Sequence, residues 1–273
     1  EGEMMVRHRL LAIGLVILAA STTPACGQVT PVAPATATIS IADARSLSKQ
    51  AEADIDAHQF QRFSTLVLAL ERALANPDTP QVINGSPALY VDGDAERLAV
   101  RARLASPEGR ETAARSTVLI DDPYPSIAWA LGFYYNEVEQ TADALRVLNI
   151  GLERLKTTHP QPALAENGPF LAIEMGAALN TAGEWQKAYE VYQAVLLSPD
   201  QTTHAQAYRG AGFSLIELNR LDDAEAAFRQ ALRLEPDSES AKWELDYIAH
   251  LRRGGAKQDS SAIKETSRQP NDG

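Results

Sequence analysis

The sequence predicts an all-α chain built from repeated helix pairs, on three observations. Apolar residues recur at i, i+3, i+4 and i+7 through most of residues 41–252, which gives each helix one buried stripe. A glycine is followed twelve residues later by an alanine three times over: Gly132 and Ala144, Gly176 and Ala188, Gly212 and Ala224. Three recurrences of one internal spacing mark a repeated unit. Only 6% of the residues are aromatic while Ala is abundant, a composition that suits closely packed helices rather than sheets.

Residues 1–26 read as an export signal. Arg7, His8 and Arg9 form a positive region ahead of an apolar run at 10–20, with Glu1, Gly2 and Glu3 preceding a start at Met4 or Met5. At about 1.5 Å per residue this run is too short to cross a bilayer. Cys26, the one cysteine, stands just past the run between Ala25 and Gly27. The arrangement resembles the lipidation site of bacterial lipoproteins, which implies a lipidated Cys26 and, with Gly27 next, the outer membrane. The alternative is an ordinary signal-peptidase cut after Ala25 or Gly27 and a periplasmic protein. A single cysteine excludes an intramolecular disulfide and a cysteine-based zinc site.

Residues 27–40 are rich in Pro, Ala and Thr, lack large apolar side chains and read as a tether. Residues 41–77 form a helical hairpin. Ser40 caps a helix over 41–57, and a second helix over 59–76 carries Phe63, Leu66, Leu70, Ala73 and Leu74 before Pro77 stops it.

Residues 78–125 form an irregular and helical connection. Asn84-Gly85, Pro87 and Asp92-Gly93 are turn signals. Residues 89–91 could run extended. Asp94 caps a helix that reaches Ala105, Ser106-Pro107 breaks it, a short helix covers 108–116, and 117–120 run extended. Asp92-Gly93-Asp94 lacks the further oxygens of a calcium loop and reads as turn plus cap.

The repeats occupy 126–158, 169–202 and 205–238. A Pro-rich loop at 156–169 separates the first two, a final helix at 239–252 covers the last, and a polar tail at 253–273 reads as disordered. In the third repeat, Tyr208, Ala211, Gly212 and Leu215 share one helix; Leu221, Ala224, Phe228, Ala231 and Leu232 share the next; Pro236 ends it. Asp222 and Asp223 suit the positive end of that second helix.

This pattern resembles the tetratricopeptide repeat, with Tyr208, Ala211-Gly212, Leu215, Ala224, Phe228, Ala231 and Pro236 at the marker positions. The resemblance implies a right-handed α-solenoid of helix-turn-helix repeats. Residues 41–77 would supply a degenerate first unit or a separate hairpin. It also implies a concave groove lined by the first helix of each repeat. Carried onto this chain, the groove positions hold Trp129, Phe133, Asn136 and Glu137; Ile173, Ala177, Asn180 and Thr181; and Arg209, Phe213, Ile216 and Glu217. Trp129, Phe133, Phe213 and Ile216 would meet an apolar or extended peptide, with Asn136, Asn180 and Arg209 as hydrogen-bond donors. Alternatively, these aromatics pack against the helices at 41–76, folded into the groove. Trp129 and Phe133 stand where the family's carboxylate clamp would have Lys and Asn, so a chaperone-tail receptor is not expected.

The formal net charge is −11, which argues against an electrostatic nucleic-acid binder. The five histidines are scattered, without a pair at ligand spacing, and read as surface or helix-end residues. Nothing points to a metal, a cofactor or a catalytic residue: there is no GxSxG, HExxH, P-loop or dinucleotide glycine pattern. The expectation is a non-catalytic binding scaffold of the cell envelope, whose partner is a protein or peptide and whose membrane contact is confined to a lipid on Cys26. The rival is a structural subunit acting through the convex face, its groove filled by its own N-terminal helices. An enzyme with a site in 78–125 is the third reading.

Overall fold

The computed structural model describes residues 38–112, 117–160, 165–199 and 201–257. The export signal and Cys26 lie outside the described residues. The chain divides into two units, one of residues 38–249 and one joining 1–37 with 250–273. Among the described residues, every strand and all the helices but the end of the last belong to the first unit. Of the second, the described part is the last turn of a helix and the turn after it, where Gly254 has φ +83°.

Helix α1 (Ile41–Asp56) starts where Ser40 Oγ accepts the Asp43 amide at 3.2 Å, an N-cap. The single helix expected over 59–76 is two, α2 (Phe60–Ser64) and α3 (Val67–Ala75). The break has a local cause. Ser64 and Thr65 turn their hydroxyls back onto the carbonyls of Gln61 and Arg62, each at 2.7 Å, and the amides of Thr65 and Leu66 bond three residues back rather than four.

A small sheet departs from the all-α expectation. Strands β1 (Val82–Ile83) and β2 (Ser86–Val91) form an antiparallel hairpin around Asn84-Gly85, with φ +50° and +80°. Two successive positive φ values make the tight turn that matches strand twist, and Asn-Gly tolerates them best. Strand β3 (Val118–Asp121) pairs parallel to β2, Tyr90 opposite Ile120. Between them lie α4 (Asp94–Ala105) and α5 (Pro107–Thr112). Gly93, not Asp94, occupies the N-cap of α4, at φ +91°.

Three helix pairs follow: α6 (Tyr124–Glu137) with α7 (Thr141–Thr158), α8 (Gly168–Thr181) with α9 (Trp185–Val195), and α10 (His204–Glu217) with α11 (Leu221–Leu234). Helix α12 (Glu239–Arg252) comes last. Within each pair the two helices pack on each other, and α7 and α9 also pack on the first helix of the next pair. First helices touch across pairs, α6 on α8 and α8 on α10; second helices have no comparable mutual packing. The first helices therefore lie on the inner side of the stack.

The N-terminal hairpin continues this scheme. Both α1 and α3 pack on α6, as α6 and α7 pack on α8, and neither packs comparably on α8 or α10. Glu71 of α3 accepts the Tyr135 hydroxyl at 2.7 Å and two Arg146 nitrogens at 2.6 and 3.2 Å, and Ser126 of α6 donates to Glu52 of α1. The structure is thus largely helical, built from adjacent packed helix pairs, with one small sheet inserted after the hairpin. No described helix is long and apolar enough to cross a membrane.

Candidate functional site

Trp129 and Phe133 stand one helical turn apart on α6 and share a stripe of its surface. Their rings are 6.3 Å apart. Phe133 stacks on Phe60 of α2 at 6.1 Å, and Trp129 meets Phe170 of α8 edge-on at 6.1 Å. The four rings make a continuous row across α2, α6 and α8, each half-buried. Phe213 on α10 is also half-buried and meets Trp185 edge-on at 6.0 Å.

The polar groove candidates are engaged within the protein. Asn136 donates to the Glu174 carbonyl at 3.1 Å and its carboxylate at 2.8 Å, tying α6 to α8. Asn180 is buried, accepts the Ser214 hydroxyl at 2.8 Å and donates to the Gly210 carbonyl at 3.4 Å, tying α8 to α10. Arg209 pairs with Glu235 of the loop after α11. All three are thus bonded within the protein, Asn136 and Asn180 between neighbouring first helices and Arg209 to the end of α11. Ile216 and Ile173 are 2% and 3% exposed and belong to the core. The aromatic candidates Trp129, Phe133 and Phe213 keep part of their surface accessible.

Two carboxyls, on α8 and α12, have pKa values raised by burial. Burial pushes Glu174 up to about 7; Asn136 opposes this and Glu137 adds to it. Burial, with the Glu217 charge, pushes Glu244 of α12 up to about 7.

The third pair carries the packing that its residues foretell. Gly212 of α10 faces the Phe228 ring of α11, and Ala224, Phe228 and Ala231 are buried between the helices. Residues 205–238 match the tetratricopeptide repeat family. No curated protein matches the chain. The tetratricopeptide repeat mediates protein–protein contacts, which makes this chain's repeat a protein-interaction scaffold. The pairs α6–α7 and α8–α9 share its geometry: Gly132 faces Leu148 and Gly176 faces Tyr192, as Gly212 faces Phe228.

Sequence reading missed a second feature, a buried ionic cluster where the inserted sheet meets α7. Asp122 lies after β3, Glu96 is on α4 and His159 caps the C-terminus of α7; all three side chains are fully buried. Arg154 of α7 pairs with Asp122 at 2.7 Å and lies over the rings of Tyr124 (4.5 Å) and Tyr90 (5.7 Å). His159 stands 3.1 Å from Glu96 and 3.4 Å from Asp122. Burial alone would lower its pKa; the two carboxylates outweigh that and raise it to about 9. Asp92 accepts two bonds from Asn167, at 2.7 and 2.6 Å, and burial pushes it up to about 6. Both described ends of the 156–169 loop therefore dock on the insert rather than run free, and His159 is a core residue rather than a surface one. Among the described residues no group of three or more metal-binding side chains is placed to hold an ion. The cluster joins insert to repeat, and its buried acids face protein partners.

Proposed function

We propose that the chain is an exported scaffold of the cell envelope that binds an extended segment of a partner protein along its first-helix face. The observation that carries this reading is the half-buried aromatic row Phe60–Phe133–Trp129–Phe170. Aromatic anchors on a pre-organised surface supply large contact area at low entropic cost. The insert and its ionic cluster tie to α7 through Arg154 and His159 and to the start of α8 through Asn167, away from the aromatic row. The role is one of binding, without chemistry.

Export rests on the leader, with Cys26 as lipid acceptor in an outer-membrane-anchored form or lost with the signal in a periplasmic one. Fatty-acid labelling of the full-length chain and of Cys26→Ala separates these forms. Incorporation that depends on Cys26 supports the anchor, and incorporation in neither removes it.

A photo-crosslinking phenylalanine placed at position 129 in living cells tests the binding face. An adduct with a defined protein, lost in Phe133→Ala, is expected. A second reading, a structural subunit that acts through the outer side, is favoured by Leu197, 85% exposed beyond the end of α9. Adducts from position 197 with none from 129 would replace the first reading by the second.

A further inference from the structure

The Trp129–Phe170 ring contact and the Asn136–Glu174 bond join the same two helices, α6 and α8. Asn136 follows Trp129 by seven residues on α6, and Glu174 follows Phe170 by four on α8. Residues so spaced lie on one stripe of a helix. The aromatic row and the buried Glu174 carboxyl therefore share one junction. A change in how α6 closes on α8 at Glu174 reaches Trp129 and Phe170 one or two turns away.

Glu174 is held at this junction by a neutral amide. Asn136 Nδ2 donates to its carboxyl Oε2 at 2.8 Å and to its main-chain carbonyl at 3.1 Å. Helices α6, α7, α9 and α10 pack on α8. Glu137 of α6 and the Tyr192 hydroxyl of α9 are the titratable groups that act with Glu174. The Lys and Arg side chains of these helices pair elsewhere: Arg146 with Glu71, Arg154 with Asp122, Lys156 with Glu153, Lys187 with Glu184 and Arg209 with Glu235. A proton is then what neutralises the Glu174 carboxyl. With the proton bound, the group is neutral and its burial costs little. Without it, a charge stands in the interior beside one neutral donor, with the Glu137 carboxylate near. Burial, opposed by the Asn136 bond and aided by Glu137, raises the pKa to about 7, so both forms exist near neutral pH.

We propose that the Glu174 carboxyl is a proton-operated latch between α6 and α8: protonated, it lets the helices close and draws Trp129 and Phe170 together; ionised, it opens the junction to water and loosens the aromatic row. A carboxylate that reaches water regains the ordinary pKa of 4.5. Opening is therefore favoured on the order of a hundredfold as pH rises from about 4.5 to about 8. The consequence for a partner rests on the row being the binding face: the grip on that face is tighter on the acid side of neutrality.

Trp185→Phe/Trp243→Phe leaves Trp129 as the single tryptophan of the full chain. Its quenching by acrylamide is followed from about pH 5 to about pH 8, with circular dichroism confirming the fold throughout. The quenching constant is expected to rise about twofold over that range, and to stay level when Glu174→Gln is added, since the amide keeps the Asn136 contact without a charge. In the unmodified chain, the Glu174 carboxyl carbon, followed by nuclear magnetic resonance, is expected to titrate with the same midpoint. That measurement stands whether or not the variant folds. A Trp129 signal that does not change, a change that persists in Glu174→Gln, or a Glu174 carboxyl that titrates near 4.5 overturns the latch and leaves the binding face standing. Crosslinking from position 129 is then compared in lysate at about pH 6 and about pH 8. A higher yield at the lower pH supports the link between latch and grip, and equal yields overturn that link. No adduct at either pH, beside a Trp129 signal that moves, overturns the binding face and leaves the latch.

Discussion

Gly212 lies flat against Phe228: a Cβ built on Gly212 would stand 2.6 Å from Phe228 Cε2. Gly176 meets Tyr192 in the same way at 2.5 Å, and Gly132 meets Leu148. In each pair the large residue follows the glycine by sixteen positions, so one contact sets how closely the two helices of a repeat approach. Gly212→Leu forces a side chain into a rigid ring. It should destabilise the unit by about 3 kcal/mol and lower its melting temperature by several degrees. Calorimetry that finds no change would remove the close approach from the account of stability.

Arg154 is the main cation of a buried cluster. Arg154→Met keeps much of its stem and leaves Asp122 short of its closest partner. Breaking a buried pair in this way costs about 3–5 kcal/mol. Lys187→Met, which breaks a solvated 3.0 Å pair with Glu184, should cost under about 1 kcal/mol. Urea unfolding of the two variants checks the contrast, and equal midpoints would show that the cluster contributes no more than a surface pair.

The two carboxyls raised by burial predict a pH dependence. Glu174 and Glu244 have their pKa raised to about 7 from 4.5 by burial. A raised carboxyl favours the fold fully below its unfolded value, and the benefit is lost as pH rises through the folded one. Stability should therefore fall between about pH 4.5 and pH 8, on the order of 2 kcal/mol from Glu174. Glu174→Gln keeps the Asn136 contact and should flatten that slope. Urea midpoints across the range measure both, and a slope of the same size in the variant would refute the assignment.

His159 works over another window. Its pKa is raised from 6.5 to about 9, so its contribution is complete below pH 6.5 and is lost as pH passes 9. Nuclear magnetic resonance should find the His159 imidazolium still protonated at pH 7.5. His159→Gln should remove the alkaline part of the stability loss, and a neutral imidazole at pH 7.5 would contradict the ion pairs with Glu96 and Asp122.

The repeats were legible because their marks are the contacts themselves. Gly132, Gly176 and Gly212 stand where a side chain cannot fit, and local periodicity records that directly. Asn84-Gly85 was legible as a turn for the same reason, since its backbone demands those residues. The pairing of β2 with β3 was not, because a parallel ladder between distant segments leaves no local pattern. The ionic cluster was hidden more deeply. Asp92 reads as a turn residue, Glu96 as part of the helix that begins at Asp94 and His159 as a helix end; only their meeting where the end of β2, α4 and the end of α7 come together shows them to be buried. Of the groove candidates, family position alone cannot distinguish Phe213, half-buried, from Ile216, enclosed by the neighbouring helices.

The bond from Asn167 to Asp92 joins residues 75 positions apart. On the ribosome Asp92, Glu96 and Asp122 are made first, and Arg154, His159 and Asn167 follow. Through that interval the carboxylates have no cations to receive them, and burying them alone would cost several kcal/mol each. Burial of these acids with their partners therefore becomes possible only when the end of α7 has been synthesised. The arrival of one arginine and one histidine then completes the partners that the buried Glu96 and Asp122 meet.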